Sequence, residues 1–171
     1  MRTRLEARQV NIVTLDVDAI VNAANTTLLG GGGVDGAIHR ASGPELLAEC
    51  CALGGCPTGH AKITKGYNLP AGHVIHTVGP VWSGGQHDEP ALLASCYRES
   101  LKLAAASHLR TIAFPAISCG AYGYPLQEAV KIAVHECASF TISNVLPQKI
   151  IFACFDQTTL AAYDAEIREP Q

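Results

Sequence analysis

The residue types best suited to chemistry in this chain stand together in one stretch: Asn25, the consecutive glycines Gly30 to Gly33, Asp35 and His39. A run of glycines is entropically costly and is kept where backbone must approach another group closely or adopt positive φ. If a helix begins at Val34, the free N–H groups of its first turn point back at that run, as an anion site requires. Gly31, Gly32, Gly33 and Val34 are therefore expected to hold phosphate. An acid beside such a loop repels the ligand unless it has a task there, and Asp35 is read as a general base that takes a proton from water. Its competing reading is a helix-start acid stabilised by the macrodipole. His39 lies four residues on, on the same helix face, where it can bond Asp35, bond the ligand, or be a satisfied structural histidine.

A second loop, Ser118-Cys119-Gly120-Ala121-Tyr122, also joins an apolar strand to a helix start, so it is expected at the same sheet edge. Two anion-cradling loops side by side suit a diphosphate. Cys119 invites a cysteine-hydrolase reading, but no base is assigned to it, and a small loop residue is the favoured alternative. Phe155 follows the last strand, where it either stacks on a base or closes the core. Gly31-x-Gly33-x-x-Gly36 fits a dinucleotide fingerprint in the wrong context, because NAANTTLLG separates it from its strand and no second buried strand ends in an acid about 20 residues on. Cys56, His60, His73 and His76 could be drawn as a zinc site. His73 and His76, three apart on a strand, point to opposite faces, so no metal is expected.

The elements that must position these residues follow from periodicity. Residues 3–9 alternate as an outer strand, a short link follows, and 18–24 reads as a strand buried on both faces, with Asn22 its one polar interior residue and Asn25 emerging at its carboxyl end. The helix from Val34 stops at Ser42-Gly43-Pro44, Pro44 opens a second helix, and Gly54-Gly55 ends it. Residues 60–66 and 73–78 form a hairpin. Glu89-Pro90 opens a long helix with Leu93, Tyr97, Leu101 and Ala105 on one face. The strand TIAFP (111–115) leads through the second loop to Pro125, read as the first residue of a helix carrying Ala129, Val130, Ala133 and Cys137. Residues 150–154 are the last strand, and a closing helix carries Leu160, Tyr163 and Ile167. Strands alternating with helices predict a three-layer α/β/α sandwich around a mixed, mostly parallel sheet of about six strands.

Composition bounds the function. The 171 residues, 48% hydrophobic and 16% charged, suit one globular domain spanning residues 1–171. A formal net charge of −3 with no Lys/Arg cluster argues against nonspecific nucleic-acid binding, so bound phosphate must be held mainly by backbone N–H groups. The N-terminus MRTRLEARQV lacks a signal-peptide core and no apolar run spans a membrane, which predicts a cytoplasmic protein. Seven cysteines without Cys-x-x-Cys spacing read as reduced core residues.

VDAIVNAANTTLLGGGGVDGAIHRASGPELL (17–47), CPTGHAKIT (56–64), HTVGPVW (76–82) and FPAISCGAYGYP (114–125) together resemble the macrodomain family, in its MacroD-type branch of ADP-ribosyl hydrolases and O-acetyl-ADP-ribose deacetylases. The resemblance implies an ADP-ribose cleft over the sheet edge and an ester-cleaving activity on O-acetyl-ADP-ribose or on mono-ADP-ribosylated proteins, with no metal or redox cofactor. A non-catalytic ADP-ribose reader is the rival. It implies that Gly33, Val34, Asp35 and the loop from Ser118 to Tyr122 hold the diphosphate and distal ribose. Asn25 then orients that ribose, Asp35 activates water, Tyr122 packs on the sugar and Phe155 on the adenine. Bacterial relatives are also associated with control of ribonuclease III. Residues 11–12 match the adenine-contacting pair, but the family's usual Gly-Asp-Ile reads Val10-Asn11-Ile12 here. Asn11 is expected to offer the adenine amino group a neutral acceptor in place of a charged one.

Overall fold

A computed structural model describes residues 4–169. Six strands, β1 (Arg4–Gln9), β2 (Ala19–Ala23), β3 (Ala61–Lys65), β4 (His73–Thr77), β5 (Thr111–Phe114) and β6 (Lys149–Cys154), form one sheet in the order β1-β6-β5-β2-β4-β3. All pairings are parallel except that of β3 with β4, which is the expected hairpin. Five helices cover the sheet: α1 (Gly33–Ser42), α2 (Pro44–Leu53), α3 (Glu89–Ala106), α4 (Leu126–Ser143) and α5 (Gln157–Arg168).

The alternation of side chains along each strand separates two cores. Ile20, Ala24, Val74 and Val78 pack with Ile38 of α1 and Leu46 and Cys50 of α2. On the opposite face, Val21, Ile75, Ile112, Phe114, Ile150 and Phe152 meet Leu93 and Tyr97 of α3, Val130 and Cys137 of α4, and Tyr163 of α5. Each large side chain fully buried there contributes about 1.5–3 kcal/mol of transfer free energy. The result is the predicted three-layer sandwich with a mixed, mostly parallel sheet.

Boundaries shift where local chemistry competes with pattern. The link after β1 contains a 3-10 turn at Ile12–Thr14, and Asn11 caps it by accepting the Val13 N–H at 3.2 Å. Pro125 was expected as the first helical residue but precedes α4, with extended ψ of 127°. Gly54, at φ 73°, supplies the left-handed cap that ends α2. Asp18 anchors the start of β5, accepting the N–H groups of Arg110 (2.7 Å) and Thr111 (3.2 Å).

Candidate functional site

Because β1, β6, β5, β2 and β4 are parallel neighbours, the segments leaving their carboxyl ends line one edge in the same order. Asn11 follows β1, Phe155 follows β6, the loop from Ser118 to Tyr122 follows β5, and Asn25 with the glycine run follows β2. The segment after β4 supports them, with the Trp82 N–H donating to the Tyr122 carbonyl at 2.9 Å and its ring 4.7 Å from that of Tyr124.

Asn25 folds the first loop. Its Oδ1 accepts from Thr27 N (3.1 Å), Thr27 Oγ1 (2.6 Å) and Leu28 N (3.1 Å), and its Nδ2 donates to the Gly30 carbonyl at 3.0 Å. The glycine run then crosses the mouth of α1. A Cβ on Gly31 would lie 3.3 Å from Asp35 Oδ2 and 3.4 Å from Asn25 Nδ2, so the missing side chain leaves open the space between carboxylate and amide. Gly36 permits the loop to lie against α1, since its Cβ would stand 2.6 Å from the Gly31 carbonyl oxygen. Gly32 and Gly33 face open space, and the first-turn N–H groups of α1 point into it.

Asp35 is 4% exposed. Its Oδ1 accepts from Asn22 Nδ2 at 2.8 Å, while Oδ2 faces the gap by Gly31. His39 Nε2 lies 3.4 Å from the same Oδ1, within ion-pair reach but not aligned as a hydrogen bond. Behind Asp35 a polar chain enters the core. Asn22 Nδ2 also lies 3.1 Å from His76 Nδ1, and His76 Nε2 lies 3.0 Å from Thr64 Oγ1 and 3.8 Å from Cys50 Sγ. Burial, reinforced by His39, lowers the pKa of His76 to about 4, so the ring is neutral at neutral pH.

In the second loop, Ser118 takes a left-handed φ of 66°. Its Oγ is buried, and the site of a Cβ on Gly79 falls on it, so Gly79 is required for this packing. The Cys119 N–H is spent on the Ala116 carbonyl at 3.2 Å. Burial pushes its thiol up to about 11, which removes the thiolate a cysteine nucleophile needs. Gly120 and Ala121 are exposed, and among the described residues neither of their N–H groups, nor that of Tyr122, bonds another backbone carbonyl. This loop and the glycine run thus follow neighbouring strands at one edge of the sheet.

The model of the Macro domain family matches residues 21–133, which hold both loops and the buried polar chain. The chain belongs to this family. Similarity extends well beyond the matched segment. A macro domain-containing protein of Chlorobaculum tepidum is 61% identical over 159 residues, 93% of this chain and 92% of its own. An O-acetyl-ADP-ribose deacetylase of Citrobacter koseri is 53% identical over 168 residues, 96% of this chain and 95% of its own. A macrodomain mutant of Oceanobacillus iheyensis, solved with ADPR, superposes with a TM-score of 0.94 at 40% identity, covering 98% of this chain and 93% of that one.

At the far end of this macrodomain's edge, Phe155 is 94% exposed. The alternative that it closes the core is overturned; Phe152, stacked 4.7 Å from Tyr163, does that. The Val10 N–H bonds the Cys154 carbonyl at 3.1 Å, so Asn11 and Phe155 leave the ends of paired strands. Ile12 turns its side chain into the core below α1. The Asn11 Oδ1 accepts the Val13 N–H at 3.2 Å and keeps a second lone pair for another donor.

Sequence reasoning missed Asn22, His76 and Thr64. The signal was there in part: Asn22 interrupts an otherwise apolar strand, and Asn22 and His76 stand opposite each other in register. It also read Glu89 only as a helix opener. That carboxylate is buried and accepts the N–H groups of Ser83, Gly85 and His87 at 2.6–2.9 Å, which organises the loop after Trp82.

Proposed function

We propose that this macrodomain binds ADP-ribose conjugates and hydrolyses an ester, removing acetyl from O-acetyl-ADP-ribose or mono-ADP-ribose from an acidic side chain. The observation that carries the reading is the Asp35 carboxylate, anchored through Oδ1 and presenting Oδ2 to the gap beside Gly31 and Asn25 Nδ2, at the mouth of two donor loops. In deacetylation, a water in that gap gives a proton to Oδ2 as its oxygen bonds the acetyl carbon. The bond from that carbon to the ribose oxygen then breaks, and the ribose oxygen takes the proton, giving acetate and ADP-ribose. Backbone N–H groups of the α1 first turn and of Gly120 to Tyr122 hold the diphosphate, and Asn25 orients the distal ribose.

Incubation with O-acetyl-ADP-ribose, and separately with a glutamate-linked mono-ADP-ribosyl protein, should release ADP-ribose. Asp35→Ala should abolish most release while ADP-ribose affinity stays within about tenfold, roughly 1.4 kcal/mol. Binding without turnover of either substrate by the native protein would make it a reader; turnover by Asp35→Ala would remove Asp35 from the chemistry.

A further inference from the structure

We propose that His76 and Asn22 are positioning residues for the hydrolysis, a buried pair that aims one N–H of the Asn22 amide at Asp35 Oδ1 and so fixes where Oδ2 meets the water. This rests on Asp35 being the base proposed above.

The argument is one of donors and acceptors. Asn22 Nδ2 stands 2.8 Å from Asp35 Oδ1 and 3.1 Å from His76 Nδ1. A flipped amide would put its oxygen against the carboxylate, so the nitrogen must face both, giving one N–H to each. His76 Nδ1 is then the acceptor, which puts the ring proton on Nε2, where it donates to Thr64 Oγ1 at 3.0 Å. Thr64 Oγ1 passes its own hydrogen to the Lys65 carbonyl at 3.1 Å. The polarity of the chain is therefore set from β3 through β4 and β2 to α1. Asn22, His76 and Thr64 are all buried, and the Asn22 Oδ1 has no partner among the described residues. A polar group left unsatisfied in the core is costly, and this one is kept where the amide has a geometric duty.

The groups facing His76 and Asp35 leave this arrangement as the consistent one. From α1 come Asp35 and His39, whose ring is 6.5 Å from that of His76. From α2 comes Cys50, whose thiol is held neutral by burial and by the Asp35 charge, with Glu49 engaged by Tyr67 OH at 2.6 Å. A proton on His76 Nδ1 would confront the Asn22 amide with donor against donor. The amide would then leave Asp35.

The test is steady-state hydrolysis of O-acetyl-ADP-ribose by His76→Leu and His76→Gln, with ADP-ribose affinity and thermal melting measured alongside. Gln can accept from Asn22 and donate to Thr64; Leu can do neither. His76→Leu should lower kcat by about 10- to 100-fold, part of the roughly 10²–10⁴-fold that a positioned base supplies. KM and ADP-ribose affinity should stay within about twofold, since the pair acts on the base and not on ligand binding. His76→Gln should recover most of the loss. Should His76→Leu fail to fold, Thr64→Val carries the same test with a smaller fall in kcat. Equal behaviour of Leu and Gln, an unchanged kcat in the folded variants, or kcat falling in step with affinity would overturn the proposal. Asp35→Ala in the same assay separates the two failures: its activity bears on the base, and the His76 pair bears on the positioning.

Discussion

Asn11 offers the clearest single-residue experiment, because its single neutral Oδ1 already accepts the Val13 N–H. An aspartate there can cap the same turn with one oxygen and leave the other free to accept from an adenine amino group, a charged hydrogen bond contributing about 1.5–3 kcal/mol before desolvation. Asn11→Asp should therefore bind ADP-ribose about two- to tenfold more tightly. Inosine diphosphate ribose, which lacks the amino group, should show no gain, and the hydrolysis rate should hold because the contact is equal in ground and transition states. Equal titrations of the two ligands by calorimetry would move the base away from residue 11. At this scale the sequence was legible for residues that break a pattern, such as Asp35 beside the glycines. It was silent on how the side chains divide their donors. Asn11 reads as an acceptor by residue type, and only the structure shows that the same oxygen also caps the turn after β1.

The donor loops can be tested as elements. Cβ atoms at Gly32 and Gly120 meet nothing within 4 Å, and neither residue has positive φ, so Gly32→Glu and Gly120→Glu should melt near the parent temperature. Each nonetheless adds a carboxylate where the proposed function places the diphosphate, and ADP-ribose affinity should fall by more than about tenfold. Gly36→Ala should act oppositely on mechanism. Alanine favours the helix by about 1 kcal/mol, but its Cβ collides with the Gly31 carbonyl, so the loop must lift off α1 and binding weakens. Calorimetry on the three variants decides both points. Elements were the most legible level. Apolar periodicity located all six strands and five helices, and Pro44 and Gly54 marked the limits of α2 correctly. The 3-10 turn after β1 escaped because three residues carry no period, and the role of Glu89 escaped because its partners are backbone groups of a loop.

For the molecule as a whole, acid should act in two separable windows. His76 is held neutral down to about pH 4, well below the ordinary histidine value of 6.5. Between those values the unfolded chain binds a proton that the folded chain refuses, so stability falls as pH falls, by on the order of 3 kcal/mol across the interval. Burial alone would raise the Glu89 pKa, but the N–H groups of Gly85, Ser83 and His87 outweigh it and hold the carboxyl near about 2. Its stabilising share is present above about 4.5 and is lost only as pH falls toward 2. Urea denaturation at pH 7 and pH 4.5 should show the first loss in the native protein and not in His76→Gln. Topology was legible in outline from alternating strands and helices, whereas strand order was not, since it depends on which faces the crossovers cover. That order has a temporal meaning. Among the described residues β1 pairs only with β6, so during synthesis residues 4–9 must wait for residues 149–154 to emerge. Asn11 and Phe155 follow those two strands, so this end of the sheet edge takes shape only after β1 and β6 have paired across the length of the fold.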